Sequence, residues 1–204
     1  MARLPPLETE DLPEEDRHLF GTYRDMDGEY TPHLRSPPPG YGDDRGDEPP
    51  RLYQALGHNP PILEGFRRMA STIRGHCGLS ERRREIVIHT TARLLEAEYE
   101  WHQHVRLGLA GELDLDDILA ISEGRSEAFA APEAALIEYV SAFVSESVSA
   151  ADHDALAAEF DDAEIVGIAM LAQFYLGLAH AIDALGVELG EEFVGWELER
   201  LDAP

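Results

Sequence analysis

The segment AEYEWHQH, residues 97–104, holds the residue types best suited to moving a proton. Glu100 and His104 stand four residues apart in a helical pattern, and residues at that spacing share one helix face. A carboxylate beside an imidazole orients the ring and stabilises its charge, which is the arrangement general acid–base chemistry uses. Upstream, Glu85 and Glu96 are eleven residues apart, three turns with only ~20° of drift. If one unbroken helix carries them all, Glu85, Glu96, Glu100 and His104 form an acidic stripe ending in an imidazole. The alternative is a set of solvated side chains on an acidic protein. Tyr99 and Trp101 flank the pair and are candidates for walls of a substrate pocket, with Arg84 as a fork for a substrate carboxylate. Arg82 and Arg83 could serve the same end, although pairing with the acidic surface is expected for at least two of the three.

Other polar residues carry less. His102 and His104 form His-x-His, but helical residues two apart point ~200° away from each other and cannot share an ion. With only Glu100 and His104 as possible ligands, no metal site is expected, and His102 reads as a surface or interface residue. His89 and His180 lie in apolar helices, where a satisfied core histidine is the default. Cys77, the one cysteine, sits in the turn Gly75-His76-Cys77-Gly78 and leaves no disulfide or thiol pair. The glycines follow no phosphate-loop spacing.

The elements that must position these residues read as helices from residue 51 onward. Asn59 and Pro60 open a helix that Gly75 and Gly78 break. Ser80 caps the next, which runs through Ile86, Val87, Leu94 and Leu95 into the Glu100–His104 segment and stops near Gly111. Asp114 or Asp116 begins a short helix, Pro132 lies in the first turn of another, and Ser149 starts a third that ends near Phe160. A long apolar helix is predicted from about Asp162 to Leu185. Its run 165–182 has no Asp, Glu or Arg, yet no basic anchors flank it, so a fully buried helix at the core or a subunit interface is preferred to a membrane span. No alternating strand pattern appears, and the class is all-α. Residues 1–50 read as an irregular arm ahead of a helical domain at 51–204, because residues 36–50 hold five Pro and three Gly. The Arg45-Gly46-Asp47 triplet there reads as a chance match to an adhesion motif. The arm is expected either to wrap a neighbouring subunit or to be disordered.

Composition excludes several functions. The chain of 204 residues carries 41 acidic against 16 basic residues, every one of the latter Arg, for a formal charge of −25. Such a surface repels phosphate backbones and anionic membranes, so neither nucleic acid nor membrane is an expected partner. Acidic excess without Lys fits a protein of concentrated salt, where self-repulsion is screened within ~3 Å at 1 M; an acidic protein of ordinary habitat is the alternative. No apolar signal segment opens the chain, and a cytoplasmic location is expected.

At these residues the chain resembles the carboxymuconolactone decarboxylase family, which includes the alkylhydroperoxidase D-like proteins. The resemblance rests on NPPILEGF, on LSERRREIVIHTTARLLEAEYEWHQHVRLGLAGELDLDDILAI and on AEIVGIAMLAQFYLGLAHAIDALGVEL, and covers roughly residues 55–190. It implies an alkylhydroperoxidase D-like helical bundle that assembles into homo-trimers or homo-hexamers. It places the family's proton-relay Glu at Glu85 and its His at His104. The Cys-x-x-Cys pair of the peroxidase branch would fall on Ala97 and Glu100, so the match is to the decarboxylase-like branch.

Three functions follow as expectations. The leading one is a cofactor-free enzyme transferring a proton in the decarboxylation of a small carboxylated lactone-type substrate. His104 would be the acid or base, Glu100 would orient it and Glu85 would complete the relay. The second is peroxide reduction, which would have to run through Cys77. The third is a non-catalytic oligomeric binding protein that keeps the pocket.

Overall fold

The computed structural model describes residues 2–20, 49–110 and 112–201. Among them are eight α-helices and no strand: α1 (Arg51–Leu56), α2 (Pro60–His76), α3 (Glu81–Leu94), α4 (Glu98–Ala110), α5 (Leu115–Ser122), α6 (Ala131–Val144), α7 (Ala150–Ala157) and α8 (Asp162–Leu185). The all-α expectation holds. Residues 36–48, with the Arg45-Gly46-Asp47 triplet, lie outside the described residues.

Most boundaries follow local chemistry. The Ser80 hydroxyl accepts from the Arg83 N–H at the start of α3. Asp114, Ser149 and Asp161 each open a helix with a reciprocal capping box, answered by Asp117, Asp152 and Glu164. Gly186 ends α8 in the left-handed conformation at φ 66°. The α2 helix runs through Gly75 and ends only at Cys77, because a single glycine weakens a packed helix without breaking it.

The α3 helix is the axis of the fold. Residues 84–92 are all buried, and α4, α5, α6 and α8 pack around them. Ile86, Val87 and Ile88 are fully buried, each contributing roughly 1.5–3 kcal/mol. Five polar residues, Arg84, Glu85, His89, Thr90 and Thr91, therefore enter the core with them, and the ionisable ones above all need partners.

The one long helix expected across residues 81–110 is two. The chain turns back at Leu95–Ala97, with Glu96 in the left-handed region at φ 50°. The Ala97 N–H donates to the Ala92 carbonyl (2.9 Å) and the Glu96 N–H to the Arg93 carbonyl (3.2 Å), a Schellman closure built without glycine. As a result α4 folds back against α3, and the predicted acidic stripe does not form. Glu96 is an exposed turn residue.

The α8 helix is long and apolar enough to cross a membrane by length and composition alone. It packs its Ile168, Leu171, Ala172 and Tyr175 face into the core. The fully buried helix expected at the core or a subunit interface is, within one chain, buried on one side: Val166, Met170, Gln173, Gly177 and His180 are exposed along the opposite face. His180 is thus a surface residue and not a core one. The described part of the N-terminal arm packs on its own chain. Leu12, Leu19 and Phe20 join Leu52, Tyr53, Leu63, Tyr99 and Ile182 in a second apolar cluster. Arg3 donates to the Asp183 carbonyl (2.7 Å) at the end of α8.

Candidate active site

Folding α4 back on α3 brings Glu85 of α3 against His104 of α4. The Glu85 carboxylate accepts from His104 Nδ1–H at 2.7 Å. On the other side of the ring, Nε2 lies 3.7 Å from the Glu100 carboxylate. Both carboxylates and the imidazole between them are buried. The three residues singled out from sequence do meet, but the acid bonded to the imidazole is Glu85, nineteen residues away, and not Glu100. The i,i+4 neighbour faces the ring's second nitrogen at a distance that a small side-chain movement closes to a hydrogen bond.

Two residues that sequence reasoning missed complete the cluster. Arg74, in the last turns of α2, reaches Glu85 with Nη2 at 3.3 Å and the Tyr175 hydroxyl of α8 with Nη1 at 2.6 Å. The Tyr175 ring stands edge-on to His104, centroids 5.1 Å apart. Their signal was weak, since Arg74 lies among several Arg residues and Tyr175 inside an apolar run. His89, the buried histidine of α3, donates from Nδ1 to the Glu85 backbone carbonyl at 2.8 Å and stands 4.0 Å from its carboxylate. Gly108 of α4 makes room for that ring: a Cβ there would lie 2.8 Å from His89 Cε1.

The environment separates the two acids. Burial pushes Glu85 up, but the His104 charge and hydrogen bond, with Arg74 and His89, outweigh it and hold the carboxyl down to about 2. Burial raises Glu100, the neighbouring Glu85 adds to the rise, and His104 and Arg74 oppose it only in part. Burial also drives His89 down to about 4, so that ring is neutral at pH 7. A carboxyl held low, an imidazole and a carboxyl pushed up by burial thus stand in a row, the kind of separation that assigns acid and base roles to like groups.

The remaining candidates sit elsewhere. Arg84 donates to the Arg74 carbonyl (3.2 Å) and faces Glu81 at 3.7 Å. Arg82 pairs with Asp117 and Glu133, and Arg83 covers the Phe160 ring. The Tyr99 hydroxyl accepts from the Leu52 N–H at 3.2 Å within the N-terminal cluster. Trp101 is fully buried with its indole N–H on the Gly195 carbonyl, which makes it a core residue. His102, expected at the surface or an interface, is buried within its own chain: Nδ1 accepts from the Val194 N–H at 3.0 Å and Nε2 lies 3.0 Å from Glu191. It fastens the C-terminal segment to α4. Cys77 is buried, its thiol 3.6 Å from the Arg74 carbonyl. Among the described residues no group of three or more His, Cys, Asp and Glu could hold a metal ion.

No protein-family model and no curated protein matches the chain. Solved structures do. An uncharacterized peroxidase-related protein with an alkylhydroperoxidase AhpD core, from Ralstonia eutropha JMP134, superposes with a TM-score of 0.68 at 17% identity, over 92% of this chain and 91% of that one. The debrominase Bmp8, solved with 2,3,4-tribromopyrrole, gives a TM-score of 0.69 at 14% identity, over 99% and 98%. A protein of unknown function from Agrobacterium tumefaciens, named for AhpD-type antioxidant defence, gives 0.63 at 18%, over 67% and 96%. What these share with the chain is the fold, and the resemblance to alkylhydroperoxidase D-like proteins holds at that level.

Proposed function

We propose that the chain is a cofactor-free enzyme that transfers a proton through Glu100 and His104 in the decarboxylation of a small carboxylated, lactone-type substrate. The observation that supports this most is the buried row Glu85–His104–Glu100, with burial pushing the Glu100 carboxyl up while Glu85 is held low. Loss of CO₂ breaks a C–C bond and leaves the electron pair on carbon, delocalised into an adjoining carbonyl. Glu100 delivers its proton to that carbon, and His104, oriented by Glu85, returns one from solvent to Glu100. Solvated carboxylic acids are ionised at pH 7, and burial works against that ionisation at Glu100, which favours it as the proton donor for this step. Arg84 has no place in this scheme, because its guanidinium is engaged by the Arg74 carbonyl and Glu81.

The test is CO₂ release from 4-carboxymuconolactone by the purified protein in molar KCl, beside His104→Ala. Release that falls at least ~100-fold in the variant is the expected result. No release from folded protein leaves the fold as a binding scaffold. Peroxide reduction has only the buried Cys77 to draw on. Dithiol-dependent peroxidase activity that disappears in Cys77→Ser would favour it instead.

The assembly proposed with this function is a homo-oligomer, a trimer or hexamer. On a chain of formal charge −25, contact between copies is favoured at a surface poor in carboxylates, and the exposed residues of α8 from Val166 to His180, Val166, Met170, Gln173, Gly177 and His180, include none. Sedimentation of Val166→Glu should show a smaller species than the unaltered protein.

A further inference from the structure

We propose that Arg74, held by the Tyr175 hydroxyl, is a positioning residue that decides which of the two carboxylates flanking His104 carries the proton. The inference rests on the proton-transfer reading above and adds to it the device that sets the starting protonation state.

The geometry is asymmetric in a specific way. Arg74 comes from α2, outside the α3–α4 pair that carries the acids and the imidazole. Its Nη2 lies 3.3 Å from Glu85 Oε1, while His104 Nδ1 lies 2.7 Å from Oε2, so the two oxygens of one carboxylate each face a cationic or donating group. Glu100 has His104 Nε2 at 3.7 Å, and burial and the neighbouring Glu85 carboxylate work against its ionised form, although the Arg74 charge also favours that form. The groups facing Glu85 are Arg74 from α2, His89 from α3 and His104 from α4, and Tyr175 of α8 faces it through Arg74. Of these only Arg74 carries a fixed charge at every accessible pH, so the asymmetry survives titration of the imidazoles. A guanidinium on a flexible stem holds one place only if something fixes it. The Tyr175 hydroxyl does so with the 2.6 Å bond, and Tyr175 in turn stands edge-on to His104. Arg74 and the ring are thereby positioned by the same side chain. An ionised Glu85 keeps the proton of His104 on Nδ1 and turns the Nε2 lone pair toward Glu100, the orientation in which Nε2 can take up a solvent proton and hand it to Glu100 after each transfer.

The experiment follows the protons and not turnover, so it succeeds or fails independently of the substrate. Carbon-detected NMR of Glu side-chain carboxyls and nitrogen-detected NMR of His104 are recorded against pH on the intact protein. In the unaltered protein Glu85 stays ionised down to about pH 2 while a protonated carboxyl, absent from Glu100→Gln, persists above the ordinary range. Arg74→Met should raise the Glu85 midpoint by one pH unit or more and reduce the Nδ1-protonated fraction of His104. Tyr175→Phe, which keeps the charge and loses its anchor, should move both readings in the same direction by less. Arg74→Lys should restore part of the unaltered behaviour. A Glu85 midpoint unchanged in Arg74→Met overturns the proposal, and if that variant does not fold, an unchanged midpoint in Tyr175→Phe does so.

Discussion

Glu85 and His104, nineteen residues apart, are joined by a 2.7 Å hydrogen bond between a carboxylate oxygen and Nδ1, buried in the angle between α3 and α4. This contact sets the tautomer of the ring and leaves Nε2 to Glu100. Glu85→Gln removes the negative charge but keeps the shape, and an amide can present its N–H₂ to Nδ1, favouring the opposite tautomer. Turnover in the assay above should fall about 100-fold or more, with the helical content by circular dichroism unchanged. Turnover within twofold of the unaltered protein would remove Glu85 from the relay.

The buried histidine beside this pair makes stability depend on pH in a defined window. His89 has its usual value of 6.5 lowered to about 4 in the folded chain by burial, so the unfolded chain binds its proton first as pH falls. The folded state therefore loses stability between pH 6.5 and 4, by on the order of 3 kcal/mol at most. Glu85, depressed from 4.5 to about 2, acts in the same direction in a lower window, contributing stability above pH 4.5 that is lost as pH falls toward 2. Urea unfolding from pH 7.5 to 4.5 should show the first loss in the unaltered protein and a flatter profile in His89→Gln.

The turn that creates the site is strained. Glu96 occupies the left-handed region at φ 50°, which costs an L side chain about 1–2 kcal/mol, whereas glycine adopts it freely and adds some unfolded-state entropy. Glu96→Gly should stabilise the protein by about 0.5–1 kcal/mol, read as a rise in thermal midpoint, with turnover unaffected. A fall in the midpoint would mean that the Glu96 side chain contributes more than its backbone costs.

Gly167 is fixed by packing of a different kind. A Cβ at that position of α8 would lie 2.0 Å from the backbone carbonyl oxygen of Cys77, at the end of α2. Backbone cannot yield as a side-chain tip can, so Gly167→Ala should push α8 away from the α2–α3 connection and destabilise by about 1–3 kcal/mol or more. Chemical denaturation measures this directly, and a loss under 0.5 kcal/mol would show that the contact relaxes.

The sequence by itself determined the helical class and much of the helix punctuation, because these depend on near neighbours. Apolar periodicity marked the helices, and side-chain oxygens such as those of Ser80 and Asp114 marked their starts by bonding N–H groups three residues on. It also brought Glu85, Glu100 and His104 to notice by residue type. Only the tertiary structure decided how they are arranged. The reversal at Leu95–Ala97 has no glycine or proline to announce it; a Schellman closure with a strained Glu96 is selected because it lets α4 bury Trp101 and Val105 against α3. Packing of α2 and α8 on that pair then brings Arg74 and Tyr175, 101 residues apart, to the same carboxylate–imidazole contact. His102 went inward and His180 outward for the same reason. Helical periodicity says which residues share a face, but which face is covered depends on the helices that pack over it.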